Sequence, residues 1–356
     1  MVVTGRDRRE FTVADVAKEA GVSKAQAARA LGEYGAVSDA VRSRVLAAAE
    51  RLRYRPNELA RSMNTGRSHT IGVVVGDIEN PYFSLATRGI SDAAEASGLQ
   101  VVLINTGERL IAERAAVDIL MDKRVDGLIV APCSPADHAH LERVVRSGRP
   151  LVLLDRDLPG LDVDTAQTDV GPSAREAAEL LLDLGHRRIG YVSTASRDEG
   201  AQPGSDLASP VAARIGGLVS AFADRGLTWD RESLLKVGLR GTDEISAAAG
   251  ELLDPPEPVT AVVASDSLIG QVVIGVIQQK GLAIPTDVSV LMYDDLPWAQ
   301  LLTPPLTVVA QPIYAIGHAA GTRLVARISG AHALPLLDPF PARLIRRGSV
   351  SSVERS

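Results

Sequence analysis

The chain has one cysteine, Cys133, in 356 residues, which excludes an internal disulfide framework and suits a reducing compartment. Aromatic residues are only 3% of the chain, so aliphatic side chains must fill its cores. No run approaches the roughly 20 apolar residues of a membrane span. Met1 to Phe11 is charged and lacks the apolar stretch of a secretory leader. These absences lead to the expectation of a cytoplasmic protein with no membrane partner. There is no Walker A loop, no G-x-S-x-G elbow and no H-E-x-x-H. Cys133 has no base nearby in sequence and reads as packing. His138 and His140 lie two apart, poor helical spacing for a metal pair, and read as solvated. No cofactor, metal site or catalytic residue is expected.

What is present is globular: 46% hydrophobic and 23% charged residues, long enough for two or three domains. The net charge of −6 conceals an asymmetry. Residues 1–70 carry 13 Lys and Arg against 8 Asp and Glu, a net +5, which leaves −11 on the remainder. A basic head on an acidic body suggests that only the head meets a polyanion.

Residues 1–11 read as a disordered N-terminus. In 12–55, Thr12 can cap a helix whose face is Val13, Val16, Ala17 and Ala20, and Gly21 stops it. Ser23 and Gln26 form a capping box that opens a second helix running to about Leu31. Helix, glycine turn, helix is the helix-turn-helix pattern, and the start of its second helix reaches base edges in the major groove. Those residues are Lys24, Ala25, Gln26 and Arg29; Lys or Arg suits guanine, Gln suits adenine. A third helix is expected from Asp39, after Ser38, to about Arg53. Residues 56–68 then read as a hinge helix and linker. Pro56 suits a helix edge, Asn57 a cap, and Leu59 and Met63 share one face, in a segment too short to be stable alone.

From residue 69 to 345, apolar strand-like runs alternate with helical stretches, from Ile71–Val75 to Val288–Leu291. That rhythm means parallel sheets with covering helices, in too many units for one small sheet, so two α/β lobes are expected. The helices include Ala136–Ser147 and Val211–Arg225. In such sheets ligands sit beyond the carboxyl ends of strands. Asp77, Asp155, Ser265, Asp266 and Asp294 fall there. Carboxylates with an arginine, here Arg214, suit a polyhydroxylated ligand, because each hydroxyl then finds both a donor and an acceptor. Phe83 and Trp298 are candidate apolar walls. Plainer readings stand beside these: Asp155 or Asp266 as helix caps, Asp295 as a structural partner, Tyr82 and Phe83 as core. Residues 346–356 read as a flexible C-terminus.

The run Val13-x-Asp-Val-Ala-x-x-Ala-Gly-Val-Ser23, with Val37-Ser38, Arg42-x-Arg-Val45, Tyr54-x-Pro-Asn57 and Ala60-Arg61, resembles the LacI family of bacterial transcription regulators. Asn80-Pro-Tyr-Phe83, Asp155-Arg156, Leu184-Gly-His-Arg-Arg-Ile189, Tyr293-Asp-Asp295 and Pro304-Pro-Leu-Thr307 extend the resemblance over nearly the whole chain. It implies an all-α helix-turn-helix head on a two-lobed core similar to periplasmic sugar-binding proteins, with crossovers near 164–173, 293–305 and 326–341. It implies operator DNA as partner, a homodimer or tetramer, a sugar-like effector, and Asn80 and Arg214 among the effector contacts. Thr12, Ser23, Ser38, Tyr54, Asn57, Ala60 and Met63 join the DNA-contacting candidates, Met63 as a minor-groove wedge where the family usually has leucine. Gln26, Ala27, Ala28, Gly32, Ser265 and Met292 depart from the family pattern, and the loop Thr194–Pro210 is longer than usual. The expected function is a DNA-binding regulator, a repressor, controlled by a small ligand. The alternative is a cytoplasmic sugar-binding protein or a sugar-modifying enzyme using the cleft carboxylates.

Overall fold

The computed structural model describes residues 11–32, 35–54, 67–194, 209–254, 256–331 and 334–353, the side chain of Ser233 excepted. Asn57, Ala60, Met63, the expected hinge helix and most of the loop 194–210 lie outside these residues. By its internal contacts the chain divides into two units, Met1–His69 and Thr70–Ser356.

The first unit holds α1 (Val13–Ala20), α2 (Lys24–Gly32) and α3 (Asp39–Arg51). Thr12 and Asp15 close a capping box on α1, with the Thr12 N–H donating to Asp15 at 2.8 Å. Gly21 turns the chain at φ +65°, a conformation glycine adopts without strain. The expected Ser23–Gln26 box opens α2: Gln26 N–H donates to Ser23 Oγ at 3.2 Å, and Ser23 N–H to Gln26 Oε1 at 3.0 Å. The third helix stops before the expected Arg53, which is left-handed at φ +49°. The core is small and alanine-rich: Val16, Ala17, Ala20, Ala27, Ala30, Val45, Ala48 and Ala49.

The second unit has two lobes. The N-terminal lobe contains β1 (Thr70–Val75), α4 (Pro81–Glu95), β2 (Gln100–Asn105), α5 (Leu110–Asp122), β3 (Gly127–Val130), α6 (Ala139–Arg146), β4 (Leu151–Leu154) and β5 (Asp164–Ala166). Its strands form a parallel sheet in the order β2-β1-β3-β4-β5. Helix α6 starts three residues later than the expected Ala136, because Ser134 Oγ accepts the Ala136 and Asp137 N–H groups in a preceding turn, each at 3.3 Å.

After β6 (Thr168–Asp169) the C-terminal lobe follows: α7 (Gly171–Asp183), β7 (Ile189–Val192), α8 (Ser209–Ala223), α9 (Arg231–Leu234), β8 (Leu235–Lys236), α10 (Gly241–Leu253), β9 (Ala261–Ala264), α11 (Ser267–Gln279), β10 (Ser289–Tyr293), α12 (Pro297–Leu301) and β11 (Thr307–Ala310). Then come α13 (Ile313–Ile328), β12 (Phe340–Pro341) and β13 (Arg343–Ile345). The second sheet runs β13-β11-β10-β9-β7-β8, with only β13 antiparallel to its neighbour. Strands buried on both faces, such as Ala261–Ala264 and Ser289–Tyr293, are what helices on either side of a parallel sheet require.

The crossover expected near 293–305 is displaced. The chain stays in the C-terminal lobe through β11, because Thr307–Val309 pairs with Leu291–Tyr293, and crosses only at 310–313. Helix α13 then packs on α4 of the N-terminal lobe at backbone contact. A Cβ at Gly317 would overlap the Ala86 carbonyl, and one at Gly89 would stand 2.6 Å from His318 N. The chain returns beside its first crossing, with Phe340–Pro341 paired to Thr168–Asp169. The flexible C-terminus expected over 346–356 is corrected for 346–353, and 354–356 lie outside the described residues. Ser349 Oγ is buried and donates to Val290 O at 2.6 Å, and Val353 N–H donates to Leu184 O at 2.9 Å.

Candidate functional site

On the head, Thr12, Ser23, Lys24, Ala25, Gln26, Arg29 and Ser38 are all exposed, whereas Tyr54 is half-buried against the head's core. A two-bond contact from Gln26 to adenine needs its amide oxygen, but Gln26 Oε1 already accepts from Ser23 N and Oγ, the latter at 3.1 Å. Only the Gln26 amide N–H₂ is open. Thr12 Oγ1 is likewise engaged, donating to Asp15 Oδ2 at 2.8 Å.

In the body, a cavity of about 790 Å³, counted to its open mouth, lies between the two lobes. The structure brings Asn80, Phe83, Asp155, Arg214, Ser265, Asp266 and Asp294 to its wall, together with Tyr82, Glu108, Cys133, Arg156, Ser193, Thr194, Pro210 and Val211. Asp77 and Trp298 are not among these lining residues. The Asp77 carboxylate turns back on its own loop and accepts the Glu79 N–H at 3.0 Å. Trp298 is half-buried against the C-terminal lobe's core.

The two lobes deliver equivalent aspartates. Asp155 follows β4 and its N–H donates to Ala166 on β5 at 2.8 Å; Asp294 follows β10 and its N–H donates to Val309 on β11 at 2.9 Å. Both are left-handed, at φ +67° and +73°, and both are buried. Left-handed aspartate costs on the order of 1 kcal/mol, and here it ends the strand and turns the carboxylate into the cavity. Asp266 does two jobs: it accepts the Ile269 N–H at 3.0 Å as the cap of α11, and it lines the cavity. Asp295 pairs with Arg347 at 2.7 Å, in line with the structural reading.

Arg214, from α8, is buried. Its Nη1 donates to Ser265 O at 2.8 Å, its guanidinium stands 4.4 Å from the Tyr293 ring centre, and its Nε is buried with no acceptor among the described residues. Burial works against its charge, but Tyr191, Tyr293, Asp294 and Asp155 outweigh that and hold its pKa above the ordinary value. Burial pushes Asp294 up to about 6, against the opposing pull of Arg214 and of Gln311 Nε2, which donates to Oδ1 at 2.7 Å. Asp266 is raised for the same first reason, burial.

Sequence reading missed Glu108, and weighed Arg156 only as a neighbour of Asp155. Glu108 lies just beyond the end of β2, so the strand-end rule that selected Asp155 and Asp294 also reaches it. Cys133, read as packing, lines the cavity, and burial raises its thiol pKa well above the ordinary range.

The raised Asp294 pKa sets a pH dependence. Folded Asp294 holds its proton to about pH 6, whereas an unfolded aspartate loses it near 3.8, so stability is full below 3.8 and falls as pH rises through 6. The loss is on the order of 3 kcal/mol at about 1.4 kcal/mol per pH unit. Asp294→Asn is expected to flatten the decline in melting temperature between pH 4 and 7 and to raise the ligand-free melting temperature at pH 7.5. An unchanged pH profile by thermal denaturation would contradict this assignment.

The match to known proteins follows the same division. Residues 12–57 match the family model for bacterial regulatory proteins, lacI family, and residues 178–350 match a periplasmic binding protein-like domain. The HTH-type transcriptional repressor CytR of Escherichia coli K12 is 30% identical over 342 residues, covering 96% of this chain and 97% of that protein. A solved complex of the transcriptional regulator CelR with cellobiose is 28% identical with a TM-score of 0.68, covering 96% of this chain and all of that one. A lac repressor dimer bound to operator shares the fold at 23% identity, with a TM-score of 0.79 over 97% of this chain and all of that one. With the head's helix-turn-helix and the two-lobed parallel core both in place, the chain belongs to the LacI family of bacterial regulatory proteins.

Proposed function

We propose that this chain is a sequence-specific transcriptional regulator, a repressor, that binds a pseudo-palindromic operator as a dimer and is controlled by a small polyhydroxylated effector such as a sugar. One observation carries the effector reading: Asp155 and Asp294, one from each lobe, face a single cavity with buried Arg214. Hydroxyls donate to the carboxylates and accept from the guanidinium, so a polyol satisfies both sets at once. The similarity to the transcriptional repressor CytR and to CelR, solved with cellobiose, supports the same reading. The lac repressor dimer on operator, alike in fold, supports the dimeric arrangement.

In this reading Lys24, Ala25, Arg29 and the open amide of Gln26 meet base edges, while Thr12, Ser23, Ser38, Tyr54, Asn57 and Ala60 meet the backbone and Met63 enters the minor groove. The cavity residues Asn80, Phe83, Asp155, Arg214, Ser265, Asp266 and Asp294 hold the effector. The cavity senses rather than catalyses, and the protein works in the cytoplasm beside its DNA. An effector changes operator affinity by as much as it prefers one arrangement of the lobes over the other.

Removing residues 1–66 tests the division of labour. The truncated protein is expected to lose operator binding by gel shift while keeping the calorimetric effector affinity of the full chain within threefold. Retained operator binding would overturn the assignment of the head.

A further inference from the structure

Two arginines line the cavity, and they are not equivalent. Arg156 Nη1 and Nη2 donate to the two carboxylate oxygens of Glu108, at 2.7 Å and 2.9 Å, in the bidentate geometry that best satisfies a guanidinium. Nη1 also donates to Pro132 O at 2.9 Å. Phe83 lies beneath, with its ring centre 5.9 Å from the guanidinium carbon. The fit is built from both sides. Glu108 sits in a left-handed turn at φ +56°, with its N–H donating to Gly76 O at 3.2 Å. Its carboxylate fills the space over Gly76, where a Cβ would stand 2.5 Å from the Glu108 carboxyl carbon. Among the described lining residues, that leaves Arg214 as the one cation without a carboxylate partner of its own, facing Asp155, Asp266 and Asp294.

Resting on the polyol reading of this cavity, we propose that Glu108 is a specificity-determining residue: by occupying Arg156 it restricts the effector to unphosphorylated, uncharged polyols and rejects sugar phosphates. A phosphate ester entering the cavity would meet four carboxylates and two arginines, of which Glu108 and Arg156 are already paired with each other. Its natural partner, the Nη1–Nη2 fork of Arg156, is already taken by Glu108, and the remaining Arg156 Nε faces Asp155 Oδ2 at 3.6 Å. A charge left unpaired is one way a polar site rejects an otherwise similar ligand.

The test compares the full-length wild type with Glu108→Gln and Gly76→Ala, by thermal shift and calorimetry. The ligands are ribose, glucose and cellobiose, the esters ribose 5-phosphate and glucose 6-phosphate, and inorganic phosphate. Gly76→Ala pushes the Glu108 carboxylate away without altering its charge, so it is a second route to freeing Arg156. In the wild type, the parent sugar that binds is expected to bind at least tenfold more tightly than its phosphate ester. In both variants the ratio is expected to shift toward the phosphorylated ligand by at least tenfold. A wild type that binds an ester as tightly as its parent sugar would overturn the proposal, and so would folded variants whose affinity for phosphate does not rise. If no uncharged sugar binds the wild type, the polyol reading fails; a tenfold gain in inorganic phosphate affinity in the variants would still support the role of Glu108, and its absence would overturn it.

Discussion

Replacing Arg214 with methionine is expected to weaken effector binding at least 100-fold, while operator affinity without effector stays within threefold. The factor corresponds to about 2.8 kcal/mol. It is the size expected when a charged hydrogen-bond donor is taken from a buried polar site and its partners are left unpaired. Methionine keeps the length and apolar stem, so the helix α8 it sits on keeps its packing. What goes is the guanidinium that donates to Ser265 O and stacks on Tyr293. Asp294, already pushed up to about 6 by burial although Arg214 pulls the other way, would take up its proton more readily still. The variant therefore loses both the donor and part of the acceptor set. Calorimetry for the effector and fluorescence anisotropy for a labelled operator separate the two affinities. An effector affinity within tenfold of the wild type would remove Arg214 from the binding site.

The second large effect is on stability. Gly317→Ala is expected to destabilise the body by about 3 kcal/mol or more, at or beyond the usual upper end for overpacking. The new Cβ would overlap the Ala86 carbonyl and stand 2.6 Å from its carbon. These are backbone atoms of α4, not the ends of side chains that could swing away. Gly89 and Gly321 make the same kind of approach along the same helix pair, so α4 and α13 can separate only by giving up the whole contact. At roughly 2–4 °C per kcal/mol for a body of this size, the melting temperature should fall by about 6–12 °C. Gly275→Ala is the control. It lies within α11 with nothing inside 4 Å of a Cβ, so it should gain up to about 1 kcal/mol from helix propensity. If both variants melt together by calorimetry, the close approach of the two helices carries no stability.

The sequence made the local parts of this protein legible. The Ser23–Gln26 box, the Gly21 turn and strands such as Gly127–Val130 and Leu151–Leu154 are written in adjacent residues, and each forms where expected. The strand-end rule found Asp155 and Asp294 because a parallel sheet with helices on both faces leaves only its carboxyl edge open. It misplaced Asp77, whose short side chain finds a backbone N–H two residues on before it can reach the cavity. The crossover after β11 and the helix α13 were not legible, since two glycines in that helix lower its propensity and are justified only by α4, more than 200 positions away. The Glu108–Arg156 pair was hidden for the same reason: 48 residues separate its members, and no local pattern connects them. The anchored C-terminal residues are a third case, because Ser349 is buried by partners on β10 and β11 rather than by its neighbours in sequence.

The twin left-handed aspartates carry one more consequence. Asp155 belongs to one lobe and Asp294 to the other, so under the proposed reading the cavity would work as a caliper: only a molecule whose hydroxyls span the gap would grip both jaws. A shorter polyol can rest against one jaw and fill the space without bringing the other in. Such a molecule would compete for the pocket and leave the regulator's state alone, so the proposed reading predicts antagonists as well as an agonist, told apart by reach rather than by affinity.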